Sequence, residues 1–199
     1  MLKQMFDLFI SFVGLLILSP VLIFISLLIK VDSKGPVFYR GLRAGKNRIP
    51  FRIYKFRTMV VNAEKIGGSS TSDDDSRITR IGRFLRKLKL DELPQLINIL
   101  EGDMSFVGPR PEVYYYANMF KDEEKKILSV KPGITDWASI WNSDEGAILK
   151  GSTDPEKTYM EKIRPTKIKL QLKYVRNNSF FSDIHIILET VKKVLKRNR

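Results

Sequence analysis

Two carboxylates stand side by side at Asp91 and Glu92, inside the stretch KLKLDELPQL that runs from Lys87 to Leu96. Basic residues lead up to them and Pro94 follows almost at once. An ionised carboxylate can act as a nucleophile toward phosphorus. A helix opening near Asp91 and running through Leu96, Ile97, Ile99 and Leu100 would set both acids at its N-terminus, beside unpaired N–H groups and the positive dipole end. Pro94 is tolerated in a first turn. A simpler reading makes Asp91 an N-cap. That reading leaves the second acid and the cations before it without a purpose.

Those cations have a pattern. Arg77, Arg80, Arg83 and Arg86 recur every three residues, with Ile78, Ile81 and Leu85 between them. On a helix this spacing gives one basic and one apolar stripe. A helix N-terminus with arginines nearby is a phosphate site. Further on, GDMSFVGPRP encloses Arg110 between two prolines. Proline fixes its own backbone and restricts the residue before it. A rigidly held arginine suits a two-pronged grip on phosphate, although an ordinary buried turn would read the same way.

Composition limits the other chemistries. The 199 residues carry 35 Lys+Arg against 22 Asp+Glu, a formal charge of +13. Such a surface attracts nucleic acid, anionic lipid or phosphorylated metabolites. There is no cysteine, so disulfides are excluded, and a zinc site built on Cys and His is disfavoured with His185 as the one histidine. A nucleophile–histidine pair would have to use His185, which sits in an amphipathic C-terminal segment. Carboxylates, Lys, Arg and a hard metal such as Mg²⁺ remain.

The elements that must position these groups begin with an apolar run. Met5 to Ile29 reads MFDLFISFVGLLILSPVLIFISLLI, with Asp7 its single charge. Roughly 20 apolar residues cross a bilayer, and no cleavage site of the signal-peptide kind follows. Ser19-Pro20 in its middle predicts a kink, with Ser19 satisfying a carbonyl that proline frees. Two topologies follow: a kinked single span, which is commoner, or a re-entrant hairpin that enters and leaves by one face. Lys30, Lys34, Arg40 and Arg43 after the run place the main domain on the cytoplasmic side.

Val37–Tyr39 and Phe51–Phe56 read as short strands of a basic hairpin beside the membrane. Residues 67–76, GGSSTSDDDS, read as a mobile loop long enough to cover a site. Asp73, Asp74 and Asp75 there could bind metal or simply form a solvated turn. A short helix is expected over 122–130, a turn at 131–135, and a helix from Tyr159 to Val175 with a boundary at Pro165. The C-terminal segment puts Phe181, Ile184, Ile187, Leu188, Val191 and Leu195 on one face, with Lys192, Lys193, Lys196 and Arg197 near its end. It fits either a core helix or the membrane interface. The fold class expected is therefore α+β and mainly helical, with a membrane-embedded segment over 1–30 and a catalytic domain over 31–199.

The motifs taken together resemble the bacterial sugar transferase family in its short, monotopic phosphoglycosyl transferase form. The matching pieces are Ser19-Pro20, KFRTM from Lys55 to Met59, RITRIGRFLR from Arg77 to Arg86, LDELPQL from Leu90 to Leu96, GDMSFVGPRP from Gly102 to Pro111, and KPGIT from Lys131 to Thr135. They cover most of the chain. The resemblance implies transfer of a sugar-1-phosphate from a UDP-sugar to polyprenyl phosphate, such as undecaprenyl phosphate, at the bacterial inner membrane, with UMP leaving. It gives the nucleophile's role to Asp91 and a supporting role at a Mg²⁺ site to Glu92, with both acids as candidate metal ligands. Phosphate contact falls to Arg110, and Arg86, Lys55 and Arg57 in the matched motifs are further candidates. It makes the Ser19-Pro20 segment re-entrant rather than spanning. After KPGIT the chain reads DWASIWN, where many relatives continue with Gly and an Ala-Gln-Val-Asn-Gly-like run, so the identity of the sugar does not carry over.

Two other classes compete. A membrane-tethered nucleic-acid binder would suit the charge, but aromatics do not interleave with the basic stripe and no nucleic-acid motif is present, so no nucleic-acid partner is expected. A non-catalytic membrane scaffold would have no use for the acidic pair.

Overall fold

The computed structural model describes residues 1–68 and 70–197, the side chain of Arg197 excepted. Ser69 in the expected loop, and the charge expected at the Arg197 side chain, lie outside the described residues.

The chain is mainly helical. Helix α1 (Leu2–Asp32) is followed by four short strands, β1 (Phe38–Tyr39), β2 (Leu42–Ala44), β3 (Pro50–Arg52) and β4 (Lys55–Phe56). Then come α2 (Ala63–Ile66), α3 (Arg80–Lys87) and α4 (Gln95–Leu100). Strand β5 (Ser105–Val107), α5 (Tyr114–Ala117) and β6 (Gly133–Thr135) follow. The chain continues through α6 (Trp137–Trp141), α7 (Glu145–Leu149), α8 (Pro155–Thr158), α9 (Arg164–Arg176) and α10 (Phe180–Arg197).

The strands form three antiparallel or parallel pairs rather than one sheet. β1 pairs with β4 and β2 with β3, both antiparallel, which makes the expected hairpin a bent one. β5 and β6 run parallel, with Ser105 opposite Gly133 and Val107 opposite Thr135. The KPGIT segment, expected as a turn, therefore contains a strand. The strands meet almost in contact at Gly108 and Gly133. A Cβ on Gly133 would lie 2.1 Å from the Gly108 nitrogen, so only glycine permits this approach.

α1 is the longest element, 31 residues, or about 45 Å at the helical rise. It is the one helix among the described residues long and apolar enough to cross a membrane. Pro20 lies inside it and denies Leu16 its usual N–H donor. Ser19 Oγ donates to the Leu16 carbonyl at 2.8 Å and fills that gap. One face packs on the domain along its length: Leu15 and Leu18 with Leu96 and Ile99, and Ile25 and Ile29 with Phe56 and Leu85. The opposite face exposes Phe9, Phe12, Leu16, Ile17, Ile23, Phe24 and Leu27. Contiguous apolar exposure of this extent marks an interaction surface.

Both ends of α1 are tied to the same body. Near its start Lys3 donates to the Val107 carbonyl at 3.0 Å. At its far end Asp32 accepts from the Ile81 N–H at 3.1 Å. Arg57 grips the chain as it leaves the helix, donating to the carbonyls of Ser33, Lys34 and Pro36 at 2.8, 3.0 and 2.6 Å.

Local departures from expectation have clear causes. The helix expected from Arg77 begins only at Arg80, capped by Thr79, whose side chain accepts from the Gly82 N–H at 3.0 Å. Arg77 instead folds back onto Asp75, with Nη2 to Oδ2 at 2.6 Å, and so leaves the basic stripe. That pair takes both Asp75 oxygens, and no group of three or more His, Cys, Asp or Glu that could hold a metal occurs among the described residues. Residues 124–129 form a 3₁₀ helix. The expected 159–175 helix is a π turn over Tyr159–Ile163 that runs into α9, with Pro165 in its first turn.

Candidate active site

Asp91 and Glu92 lie in a 3₁₀ turn, Leu90–Glu92, between α3 and α4. They precede α4 rather than opening it, because Pro94 occupies its N-cap position. The turn is entered through Lys89 in the left-handed region at φ 58°, a conformation that costs a non-glycine residue about 1–3 kcal/mol. Such strain is held in place by its surroundings, here the apolar packing of Leu85 and Leu90 against Ile25, Ile29 and Phe56.

The two acids have opposite fates. Glu92 Oε1 accepts from Lys55 Nζ on β4 at 2.9 Å and from Arg110 Nη2, while its Oε2 accepts from Arg110 Nη1 at 3.1 Å. This is the two-pronged arginine–carboxylate geometry. The Glu92 side chain is 12% exposed and that of Arg110 35%. Burial works to raise the Glu92 carboxyl, but Arg110 and Lys55 outweigh it and hold the group well below the usual carboxylate range. Arg110 is correspondingly pushed up by Glu92.

Asp91 is buried too, at 9% exposure, yet its carboxylate makes no hydrogen bond or ion pair among the described residues. It caps nothing. Burial pushes its carboxyl up, the neighbouring Glu92 adds to this, and Lys55, Arg86 and Lys89 pull it partly back. Lys55 itself is pushed down by burial despite its acid partners. The site thus holds one acid locked ionised by two cations and a second acid left chemically free beside them.

The other expected residues divide. The charge of Arg86 on α3 helps lower the Asp91 carboxyl, and its guanidinium has no hydrogen-bond or ion-pair partner among the described residues. Arg57 is placed elsewhere: it is 6% exposed and its guanidinium is committed to the carbonyls after α1, so it is not a free phosphate ligand. Ser19 and Pro20 are on the exposed side of α1. The groove beside Arg110 is lined by Ala44, Gly45, Pro111, Phe120 and Val130, and neither of the two acids lines it.

Three positioning features escaped the sequence reading. Asn98, at the centre of the apolar run LINIL, is fully buried. It accepts from the Tyr54 N–H at 2.8 Å and donates to the Arg52 carbonyl at 3.0 Å, which fixes the strand carrying Lys55 against α4. An amide inside an apolar helical stretch was the available signal. Gln95, one turn beyond Asp91, is 1% exposed with its Nε2 unpartnered. Downstream of Arg110, Glu112 accepts from Lys167 on α9 at 2.7 Å, and Lys167 also reaches the Tyr159 hydroxyl at 2.8 Å.

A Mg²⁺ fits this site in part. Asp91 offers free oxygens, whereas the Glu92 oxygens are already taken by Lys55 and Arg110. Such an ion is ordinarily held by one or two carboxylates with substrate phosphates completing its shell.

Comparison with known proteins shows the family to which the chain belongs. The chain matches the family model described as bacterial sugar transferase over residues 1–197. It is 35% identical over 199 residues to a UDP-N-acetylgalactosamine-undecaprenyl-phosphate N-acetylgalactosaminephosphotransferase of Aeromonas hydrophila, covering 98% of this chain and 44% of that protein. It is 39% identical over 194 residues to the uncharacterized sugar transferase EpsL of Bacillus subtilis (strain 168), covering 98% of this chain and 87% of that one. A UDP-glucose:undecaprenyl-phosphate glucose-1-phosphate transferase of Escherichia coli (strain K12) is 37% identical over 198 residues, 97% of this chain and 40% of its own length. The chain therefore spans less than half of the Aeromonas and Escherichia proteins and most of the Bacillus one, and it belongs to the bacterial sugar transferase family.

Proposed function

We propose that this chain is a phosphoglycosyl transferase that moves a sugar-1-phosphate from a UDP-sugar to a polyprenyl phosphate, with Asp91 as the nucleophile. The observation that carries the reading is the unequal pair: a buried, unpartnered Asp91 next to a Glu92 saturated by Lys55 and Arg110. The names of the Aeromonas and Escherichia relatives support the substrate classes.

The obstacle is attack of an anion on an anion. Removing water from Asp91 raises its basicity, and with it the carboxylate's nucleophilicity once the proton is lost. Asp91 Oδ attacks the sugar-bearing phosphorus, the bond from that phosphorus to the bridging oxygen breaks, and UMP leaves with the electron pair. A polyprenyl phosphate oxygen then attacks the same phosphorus and the bond to Asp91 breaks, which restores the carboxylate. Arg110, about a third exposed, and the unpartnered Arg86 offer N–H groups to the charge that develops on phosphate oxygens. A bound Mg²⁺ would supply further charge neutralisation on the diphosphate.

An acceptor dissolved in the bilayer requires the site to sit at its surface. α1 meets this need with an apolar outer face while both its ends remain fastened to one domain. A helix held at both ends by the same body does not carry those ends to opposite sides of a membrane, which argues against a span and for a seat on the cytoplasmic face of the inner membrane, with α1 one continuous helix through Pro20. α10 exposes Phe181, Leu188, Val191 and Leu195 above Lys192 and Lys193 and suits the interface beside it. The chain has no cysteine, so a single cysteine near residue 2 reports topology: shielding from an external impermeant thiol reagent in intact cells is expected, and ready labelling would contradict it.

The activity is tested by incubating membranes holding the full chain with undecaprenyl phosphate and a panel of UDP-sugars. UMP release with one donor, lost with EDTA and restored by Mg²⁺, is expected. No release with any donor would refute the assignment, and release indifferent to the chelator would remove the metal from it.

A further inference from the structure

The one charge inside the apolar run, Asp7, takes no part in the reaction proposed for Asp91. It is 6% exposed and lies on the domain-facing side of α1. Its Oδ2 accepts from Ser105 Oγ at 2.8 Å and its Oδ1 from the Phe106 N–H at 3.3 Å. Lys3, one turn earlier, donates to the Val107 carbonyl at 3.0 Å and pairs with Asp183 on α10. Tyr174 on α9 joins them, donating to Asp183 Oδ1 at 2.8 Å.

These contacts fall on β5. That strand has only one neighbour, β6, and a lone pair of strands is marginal in water. Away from β6, the Phe106 N–H finds its acceptor in Asp7, while the Val107 carbonyl accepts from both Lys3 at 3.0 Å and the Tyr174 hydroxyl at 3.2 Å. Residues three and four apart on a helix share a face, so Lys3 and Asp7 reach Val107 and Phe106 together and, with Tyr174, cover that edge of β5. The chain continues from Val107 through Gly108 and Pro109 to Arg110. The Gly108 and Gly133 backbones are in contact, and Gly133 N–H donates to the Pro109 carbonyl at 3.0 Å. A displacement of β5 is thereby passed to the arginine with little slack.

We propose that Asp7, assisted by Lys3, is a positioning residue for Arg110, coupling the seating of the membrane helix to the phosphate grip. This rests on the proposed reaction only for what Arg110 does. The helix that anchors the chain also aligns its active site, so a chain whose α1 is unseated is expected to lose transfer before it loses its fold.

Two measurements on the full chain in lipid vesicles test it. Hydrogen exchange needs no activity. Asp7→Leu is expected to speed exchange at Phe106, Gly108 and Gly133 about tenfold or more, while exchange around Asn98 on α4 stays unchanged. Asp7→Asn, whose carboxamide oxygen still accepts from Phe106, stays within about threefold of the parent. Unaltered exchange in Asp7→Leu would overturn the proposal. The second is a double-mutant cycle on UMP release. Asp7→Leu is expected to lower kcat about tenfold in the parent chain and less than about twofold in an Arg110→Lys background, since a misplaced arginine has less left to lose. Equal losses in both backgrounds would overturn it, because a general structural role is additive. If Asp7→Leu does not fold, Ser105→Ala takes its place with an expected loss of about threefold. Should the parent release no UMP, the proposed reaction fails, and the exchange result still decides the positioning.

Discussion

Two buried lysine–glutamate pairs lie on either side of the Pro109–Pro111 loop, and they differ in one respect. In the first, Lys55 binds Glu92 and Arg110 completes the set, with Asp91 beside it and unpartnered. In the second, Lys167 binds Glu112 and the Tyr159 hydroxyl, and every group is satisfied. Burial pushes Lys55 down, whereas for Lys167 the pull of Glu112, Tyr159 and Glu145 outweighs burial and pushes it up. Burial also pushes the Tyr159 hydroxyl up to about 12, so it stays a proton donor at neutral pH. A buried pair is a strut when its charges close on themselves. It becomes reactive when a further charge is left over. The second cluster holds the loop that carries Arg110, and the first has a carboxylate in reserve.

The difference is broken most directly by removing the surplus charge. Asp91→Asn is expected to lower turnover at least about a thousandfold, as loss of a nucleophile does. It should leave membrane association and folding intact, since the Asp91 carboxylate makes no hydrogen bond or ion pair among the described residues. Pelleting with vesicles and steady-state UMP release measure the two together. Turnover within tenfold of the parent would make Asp91 another strut. Next in size is Lys167→Met. Breaking a buried pair from one side costs about 3–5 kcal/mol of stability, while kcat per folded molecule is expected to stay within about fivefold. Chemical denaturation and active-site titration separate these terms. A large loss of kcat at unchanged stability would erase the distinction between the clusters.

The smallest expected effect is in pH dependence. Asp91 has its folded value raised, so between about 3.9, where a free aspartate titrates, and that higher value the folded chain binds the extra proton. Its contribution to stability therefore falls as pH rises through this window. Asp91→Asn is expected to remove the decline and to match or exceed the parent's Tm at pH 7. Glu92 runs the other way. Its value is lowered, so its contribution is complete above about 4.3 and is lost as pH falls toward its folded value. Glu92→Gln should therefore be less stable at neutral pH and approach the parent in strong acid. Turnover, which needs the Asp91 carboxylate, is expected to fall as pH drops through its raised value.

Much of the site was legible because it is carried by short, local patterns. The adjacent acids, Arg110 between prolines and the apolar run with Ser19-Pro20 each declare themselves within a few residues. What was not legible depends on distant partners. Arg57 and Arg77 look like members of a basic surface, but each finds carbonyls or an acid at hand and is taken out of it. Gly133–Thr135 is too short to show strand periodicity and pairs only because β5 arrives beside it. Asp91 reads as a cap by its position before a helix, yet Pro94 takes that place and frees the carboxylate. Asp7 reads as an intruder in an apolar helix until Ser105 and Phe106 are brought to it.

The central claim is that Asp91 bonds to phosphorus, and the covalent adduct is its direct test. The full chain in vesicles without polyprenyl phosphate, mixed with the active UDP-sugar and quenched in acid, is expected to release one UMP per site. Intact mass should rise by one sugar-phosphate, mapped to the peptide that contains Asp91 and absent from Asp91→Asn. UMP release that begins only when polyprenyl phosphate is added, with no increase in protein mass, would contradict the account.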